Sequence, residues 1–191
     1  MNEKIIWDTL IAKVGNPYGV AAIMGNLMAE SSLNPACATG KNKTVNYIED
    51  VDNGVVDFVH DGVAFGLVQW CYHTRKSGFF TYVKTKGKSV GDLATQLEYL
   101  VKEMSESYKS VWAAVTDAKD IRSASDIIML KYEKPATTTD AVKLKRANYA
   151  QKFYDQFAGN QDSKSLSAAP SVSGKKTIRA KTQVNIRMTP D

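Results

Sequence analysis

The chain has 191 residues, 43% of them apolar, and a formal net charge of +5. That apolar share suits one packed domain with some chain to spare, and aromatics spread along the sequence exclude wholesale disorder. Residues 1–159 hold 19 basic and 18 acidic side chains, whereas residues 160–191 hold 6 and 2. The excess thus sits in the last stretch, and the main segment lacks the clustered basic surface of a nucleic-acid binder.

Residues 3–14 predict a short helix with Ile6, Leu10 and Val14 on one face and Trp7 beside them. Asn16-Pro17 then starts a second helix, Asn as cap and Pro in the first turn. It runs through Gly-Val-Ala-Ala-Ile-Met-Gly-Asn-Leu-Met-Ala-Glu-Ser and stops near Asn34-Pro35. Residues 36–64 carry no helical period. They predict an irregular segment, with a small hairpin around Asp52-Asn53-Gly54 because Asn-Gly favours a tight turn. So long an irregular stretch inside a domain is usually functional.

Helical spacing returns over 75–86, 90–106, 109–118, 123–133 and 138–157, with Leu93, Leu97, Leu100 and Met104 as one core stripe and a break at Pro135. The fold class expected is mainly α, with one irregular or small β segment after the second helix. Gly159 opens a small, polar linker, 159–175, of flexible composition. Residues 176–191 alternate polar and apolar over Thr182–Arg187 and read as one strand, which cannot bury its face alone.

Cys37 and Cys71 are too few for a disulfide scaffold and are read as free thiols. His60 and His73 sit in no zinc spacing, so neither metal nor cofactor is expected. No run approaches the ~20 apolar residues that span a bilayer. The opening Met1–Leu10 has no basic region followed by an apolar run, so the protein is expected to be made in the cytoplasm without a signal peptide.

Glu30 is the residue that needs explaining. Ile23, Leu27 and Glu30 fall at i, i+4 and i+7, which puts a carboxyl on an apolar helix face. Partial desolvation of a carboxyl favours its protonated form, the property of a glycosidase acid. By periodicity alone, the simpler reading is a rim carboxylate reaching water. The segment His60-Asp61-Gly62-Val63-Ala64-Phe65-Gly66-Leu67-Val68-Gln69-Trp70 gathers an acid, two glycines, an amide and two aromatics. Gln69 could bind sugar hydroxyls or acetamido groups, and Phe65, Trp70 and Tyr72 could meet sugar faces. Alone, the segment is equally a glycine-bent strand with aromatics in the core. Glu133, in Tyr-Glu-Lys-Pro at a helix end, reads first as structural, with bracing of the cleft as the alternative. A Cys71/His73 nucleophile is disfavoured by its close spacing.

Together the two segments are similar to a known pattern. Met24-Gly-Asn-Leu-Met-Ala-Glu-Ser-Ser-Leu-Asn-Pro, followed by Ala64-Phe-Gly-Leu-Val-Gln-Trp, resembles the phage-tail-type lysozymes and the wider lysozyme-like superfamily. That group includes goose-type lysozymes and lytic transglycosylases. The resemblance covers about residues 3–158 and implies a helical catalytic domain, 1–158, acting on bacterial peptidoglycan. It implies Glu30 as general acid. The second carboxylate varies in the superfamily; candidates here are Asp61 first, Asp52 second, then Asp50, Asp57 and Glu49. Lys181-Thr-Gln-Val-Asn-Ile-Arg-Met-Thr-Pro is similar to the opening strand of bacterial Src-homology-3-like wall-binding domains, of which only the start is present.

The function expected is hydrolysis of the β-1,4 bond between N-acetylmuramic acid and N-acetylglucosamine by a monomer that needs no cofactor. Rivals are a lytic transglycosylase, an N-acetylglucosaminidase, a non-catalytic wall-binding or phage structural protein, and a small helical interaction domain.

Overall fold

The computed structural model describes residues 2–159. The order is α1 (Asn2–Val14), α2 (Pro17–Ser31), β1 (Ala38–Thr39), α3 (Tyr47–Asp52), β2 (Ala64–Phe65), α4 (His73–Lys86), α5 (Leu93–Ser107), α6 (Lys109–Thr116), α7 (Ile121–Ile128), a π-helical turn (Met129–Glu133) and α8 (Asp140–Phe157). The fold is mainly α with one two-stranded antiparallel sheet, as expected. The proposed linker and wall-binding strand lie outside the described residues.

Helix α2 is the spine, packed against α1, α6, α7 and α8. Asn16 caps it by accepting from the Tyr18 and Gly19 amides, and Pro17 opens it. Small residues let neighbours close in. A Cβ on Gly25 would lie 2.6 Å from the Arg146 carbonyl oxygen and from Ala150 of α8. Only a hydrogen fits there, so α8 rides directly on the α2 backbone.

The irregular segment is partly ordered. Ala38 pairs with Phe65 and Thr39 with Ala64, joining the two ends of that segment. The hairpin expected around Asp52-Asn53-Gly54 is corrected: Asp52 ends α3, and Gly54, at φ +73°, terminates that helix. Turn and helix-stop demand the same left-handed glycine, so the local sequence fits both. A tight turn lies instead at Gly66–Gln69, closed by Phe65 and Trp70 exchanging backbone hydrogen bonds at 3.1 and 2.9 Å.

Candidate active site

Helix α2 ends at Ser31, and Ser32 and Leu33 both take left-handed backbone, φ 54° and 58°. This sharp exit leaves Glu30 in the last turn facing a cleft of about 390 Å³. The cleft is also lined by Thr39, Ala64, Val68, Gln69, Cys71, Tyr72, Arg75, Glu133, Lys134 and Pro135. The two sequence motifs meet here through Ser31, whose Oγ donates to the Leu67 carbonyl at 2.9 Å. Gln96 of α5 secures the second motif by accepting from the Leu67 amide and donating to the Pro35 and Val90 carbonyls.

Glu30 is about one-fifth exposed and carries an ion pair. Arg146 Nη2 reaches Glu30 Oε1 at 2.5 Å, while Arg146 Nη1 donates to Asn26 Oδ1 at 3.0 Å. Asn26 lies one turn before Glu30, so one guanidinium fork spans one turn of α2. Neither Arg146 nor Asn26 stood out in the sequence. Gly25 between α2 and α8 was the available signal, because a close helix crossing brings long side chains of one helix onto the other.

A second carboxyl lines the cleft. Glu133 ends the π-helical turn, and Lys134 then adopts φ 52°. Glu133 Oε1 is buried and has no hydrogen-bond partner among the described residues. Burial first, and then the charge of Glu30, push its carboxyl well above the usual carboxylate range. The non-glycine residues with positive φ among those described are Ser32, Leu33, Gln69 and Lys134. Gln69 and Lys134 line the cleft, while Ser32 and Leu33 form the exit after Glu30. Strain and π-turns concentrate at functional sites.

The cleft's back wall is a polar network. Glu103 accepts from Trp70 Nε1 (3.0 Å), Arg75 Nε (2.7 Å) and Tyr132 Oη (2.6 Å). Burial works against its ionisation, but Arg75 and these donors outweigh burial and hold its carboxyl below the ordinary value. Arg75 also lies over the Tyr132 ring, 4.5 Å from its centroid.

Several expected site residues are used otherwise. Asp61 forms an ion pair with fully buried Lys76 at 2.5 Å, accepts from Tyr47 Oη at 2.5 Å and from the Val63 amide at 2.8 Å. Burial lowers the Lys76 ammonium below its ordinary value, and Asp61 works against that shift. Asp61 is therefore bound into the wall and does not line the Glu30 cleft. Asp52 accepts from the Val90 amide and lines a separate groove of about 670 Å³ with Glu49 and Lys43. Asp57 pairs with His60 at the surface. Trp70 and Phe65 are fully buried, which corrects their expected role as sugar platforms. Trp70 stacks on Phe79 at 4.5 Å and belongs to the core. Gln69 lines the cleft, but its amide donates to the Cys37 and Gly66 carbonyls and accepts from Thr39 Oγ1. Tyr72 does line the cleft, with 63% of its surface exposed.

Cys37 and Cys71 are free thiols. Among the described residues no group of three or more His, Cys, Asp or Glu could hold a metal ion, and no helix is long and apolar enough to cross a membrane.

A mainly helical domain with a small two-stranded sheet and a carboxyl at a helix end facing an open cleft fits the lysozyme-like class. The sequence profile of the phage tail lysozyme family matches residues 1–157, and the chain belongs to that family of peptidoglycan-cleaving proteins. Comparison with curated proteins finds no match.

Proposed function

We propose that this chain cleaves the β-1,4 bond between N-acetylmuramic acid and N-acetylglucosamine, with Glu30 as the general acid. The observation that carries this reading is Glu30 itself: a mostly buried carboxyl at the end of α2, fixed by Arg146 and open to the cleft. Glu30 protonates the glycosidic oxygen as the C–O bond breaks, which makes the departing sugar a neutral alcohol. The exposed Tyr72 ring offers an apolar face to a sugar, and Gln69 shapes the adjoining wall.

Lytic transglycosylation is the second reading, favoured by the engagement of Asp61 and Asp52 away from the cleft. There one carboxyl acts in turn as acid and base, and the product carries a 1,6-anhydro end. Purified peptidoglycan digested by wild type and Glu30→Gln, with fragments weighed by mass spectrometry, tests both. Loss of glycan cleavage in the variant supports the acid role; reducing or anhydro ends choose between the readings. Cleavage of peptide bonds would sink the proposal.

A further inference from the structure

The groove of about 670 Å³ bounded by β1, α3 and the chain between them is larger than the Glu30 cleft, and no step of the proposed reaction uses it. The two share a border on β1. Ala38 lines the groove, and Thr39, the next residue and about 3.8 Å away along the chain, lines the cleft. The floor of the groove is fixed. Tyr47 is buried and donates to Asp61, which is held by Lys76, and the Asp52 carboxyl accepts from the Val90 amide. Its rim is open. Lys43, Val45 and Glu49 are exposed, Val45 to 98%. Lys43 and Glu49 bring opposite charges to one groove, yet neither forms an ion pair or a side-chain hydrogen bond among the described residues. Thr44, between Lys43 and Val45, has a buried hydroxyl with no hydrogen-bond partner among the described residues. The rim therefore holds charges of both signs, an apolar side chain and an unmet hydrogen bond.

We propose that this groove holds the peptide stem of peptidoglycan, the short peptide that branches from muramic acid beside the bond to be cleaved. This rests on the reading of the Glu30 cleft as the glycan site. A stem leaves its sugar through the lactyl group, so a glycan seated in the cleft must lay its peptide on a neighbouring surface. A stem of about four residues reaches roughly 13–14 Å when extended, well beyond the one-residue step that separates cleft from groove. The chemistry matches on both sides. The stem carries free carboxylates and, on its third residue, an amine. Lys43 meets a carboxylate, while Glu49 and Asp52 meet the amine. The side-chain amides of Asn46 and Asn53 pair with peptide groups, and Val45 and Ile48 cover alanine methyls. A phosphate polymer would be repelled by Glu49 and Asp52, and a neutral sugar would leave both signs of charge unanswered.

The test compares intact peptidoglycan with the same glycan after an amidase has removed its stems, for wild type, Lys43→Glu and Glu49→Lys. Wild type is expected to show a KM several-fold lower on intact strands than on bare ones. Each variant is expected to raise KM several-fold on intact strands and to leave bare strands unchanged. Both side chains are exposed, so Tm is expected to stay within about 1–2 °C of wild type. Equal KM on the two substrates in wild type, or an equal loss on both in the variants, overturns the proposal. A second measurement needs no cleavage. Free stem peptide is titrated into the whole chain and followed by NMR of the backbone amides. Shifts confined to residues 36–53, and weakened in Lys43→Glu, support the assignment. No shift from the peptide, or shifts there from a stem-free disaccharide instead, overturns it. If wild type cleaves neither substrate, the reading of the Glu30 cleft falls, and the titration still decides what the groove binds.

Discussion

Arg146 and Glu30 lie 116 residues apart and meet at 2.5 Å. The contact crosses from α8 to the last turn of α2 and fixes the carboxyl proposed as the general acid. Replacing Arg146 with Met keeps the stem and removes the fork, leaving Glu30 and Asn26 without their donor. The expected cost is roughly 2–4 kcal/mol, below that of a fully buried pair because Glu30 is partly exposed. Turnover is expected to fall about 10- to 100-fold through loss of carboxyl placement. Arg146→Lys rescues only part, since an ammonium cannot reach both acceptors in parallel. Chemical denaturation and initial rates on peptidoglycan measure the two effects separately.

Gly25→Ala probes the same contact from the backbone. The new methyl would sit 2.6 Å from the Arg146 carbonyl oxygen, so α8 must move. We expect destabilisation of roughly 1–3 kcal/mol, or roughly 2–4 °C of Tm per kcal/mol for a chain of this size. Activity is expected to fall at temperatures where the variant is still folded. Full activity there would mean that the helix crossing does not control Glu30.

Glu103→Gln tests the back wall. Its folded pKa is depressed, so its contribution is present above its unfolded value and is lost as pH falls through the folded one. At neutral pH the variant is expected to lose roughly 2–4 kcal/mol, because Arg75 keeps a buried charge without its acid. The Tm gap to wild type should narrow as pH falls below the ordinary carboxylate range. A gap that widens toward acid would refute the assignment.

Tyr72→Ala separates binding from stability. The ring is 63% exposed, so Tm is expected to stay within about 1–2 °C of wild type. Loss of a ring proposed to meet a sugar should instead raise KM several-fold, with a smaller change in kcat. Isothermal titration with a soluble muropeptide oligomer gives the same comparison at equilibrium.

The longer helices were legible because their signals are local, whereas the six-residue α3 (Tyr47–Asp52) lay hidden in the segment read as irregular. Asn16-Pro17 and the apolar stripe of α5 act within a few residues of themselves. The β1–β2 pairing was not, since Ala38 and Phe65 find each other across the whole irregular segment. Asp52-Asn53-Gly54 misled because one left-handed glycine serves a hairpin and a helix end alike. At the site, Glu30 stood out only when both motifs were read together. Asp61 and Trp70 looked functional because a sequence does not show that Lys76 and Glu103 already occupy them. Glu133 read as a structural residue at a helix end, because a sequence shows neither that it lines the cleft nor that its Oε1 lacks a hydrogen-bond partner among the described residues.

The route from Glu30 to Arg146 also sets an order on synthesis. A ribosome finishes α2 long before α8 emerges, and until α8 docks on the Gly25 face the guanidinium is missing from the carboxyl. A nascent or clipped domain lacking α8 holds both sequence motifs and yet lacks the Arg146 guanidinium that meets Glu30. The Glu30–Arg146 pair therefore forms late, when α8, the last helix of the described residues, docks on α2.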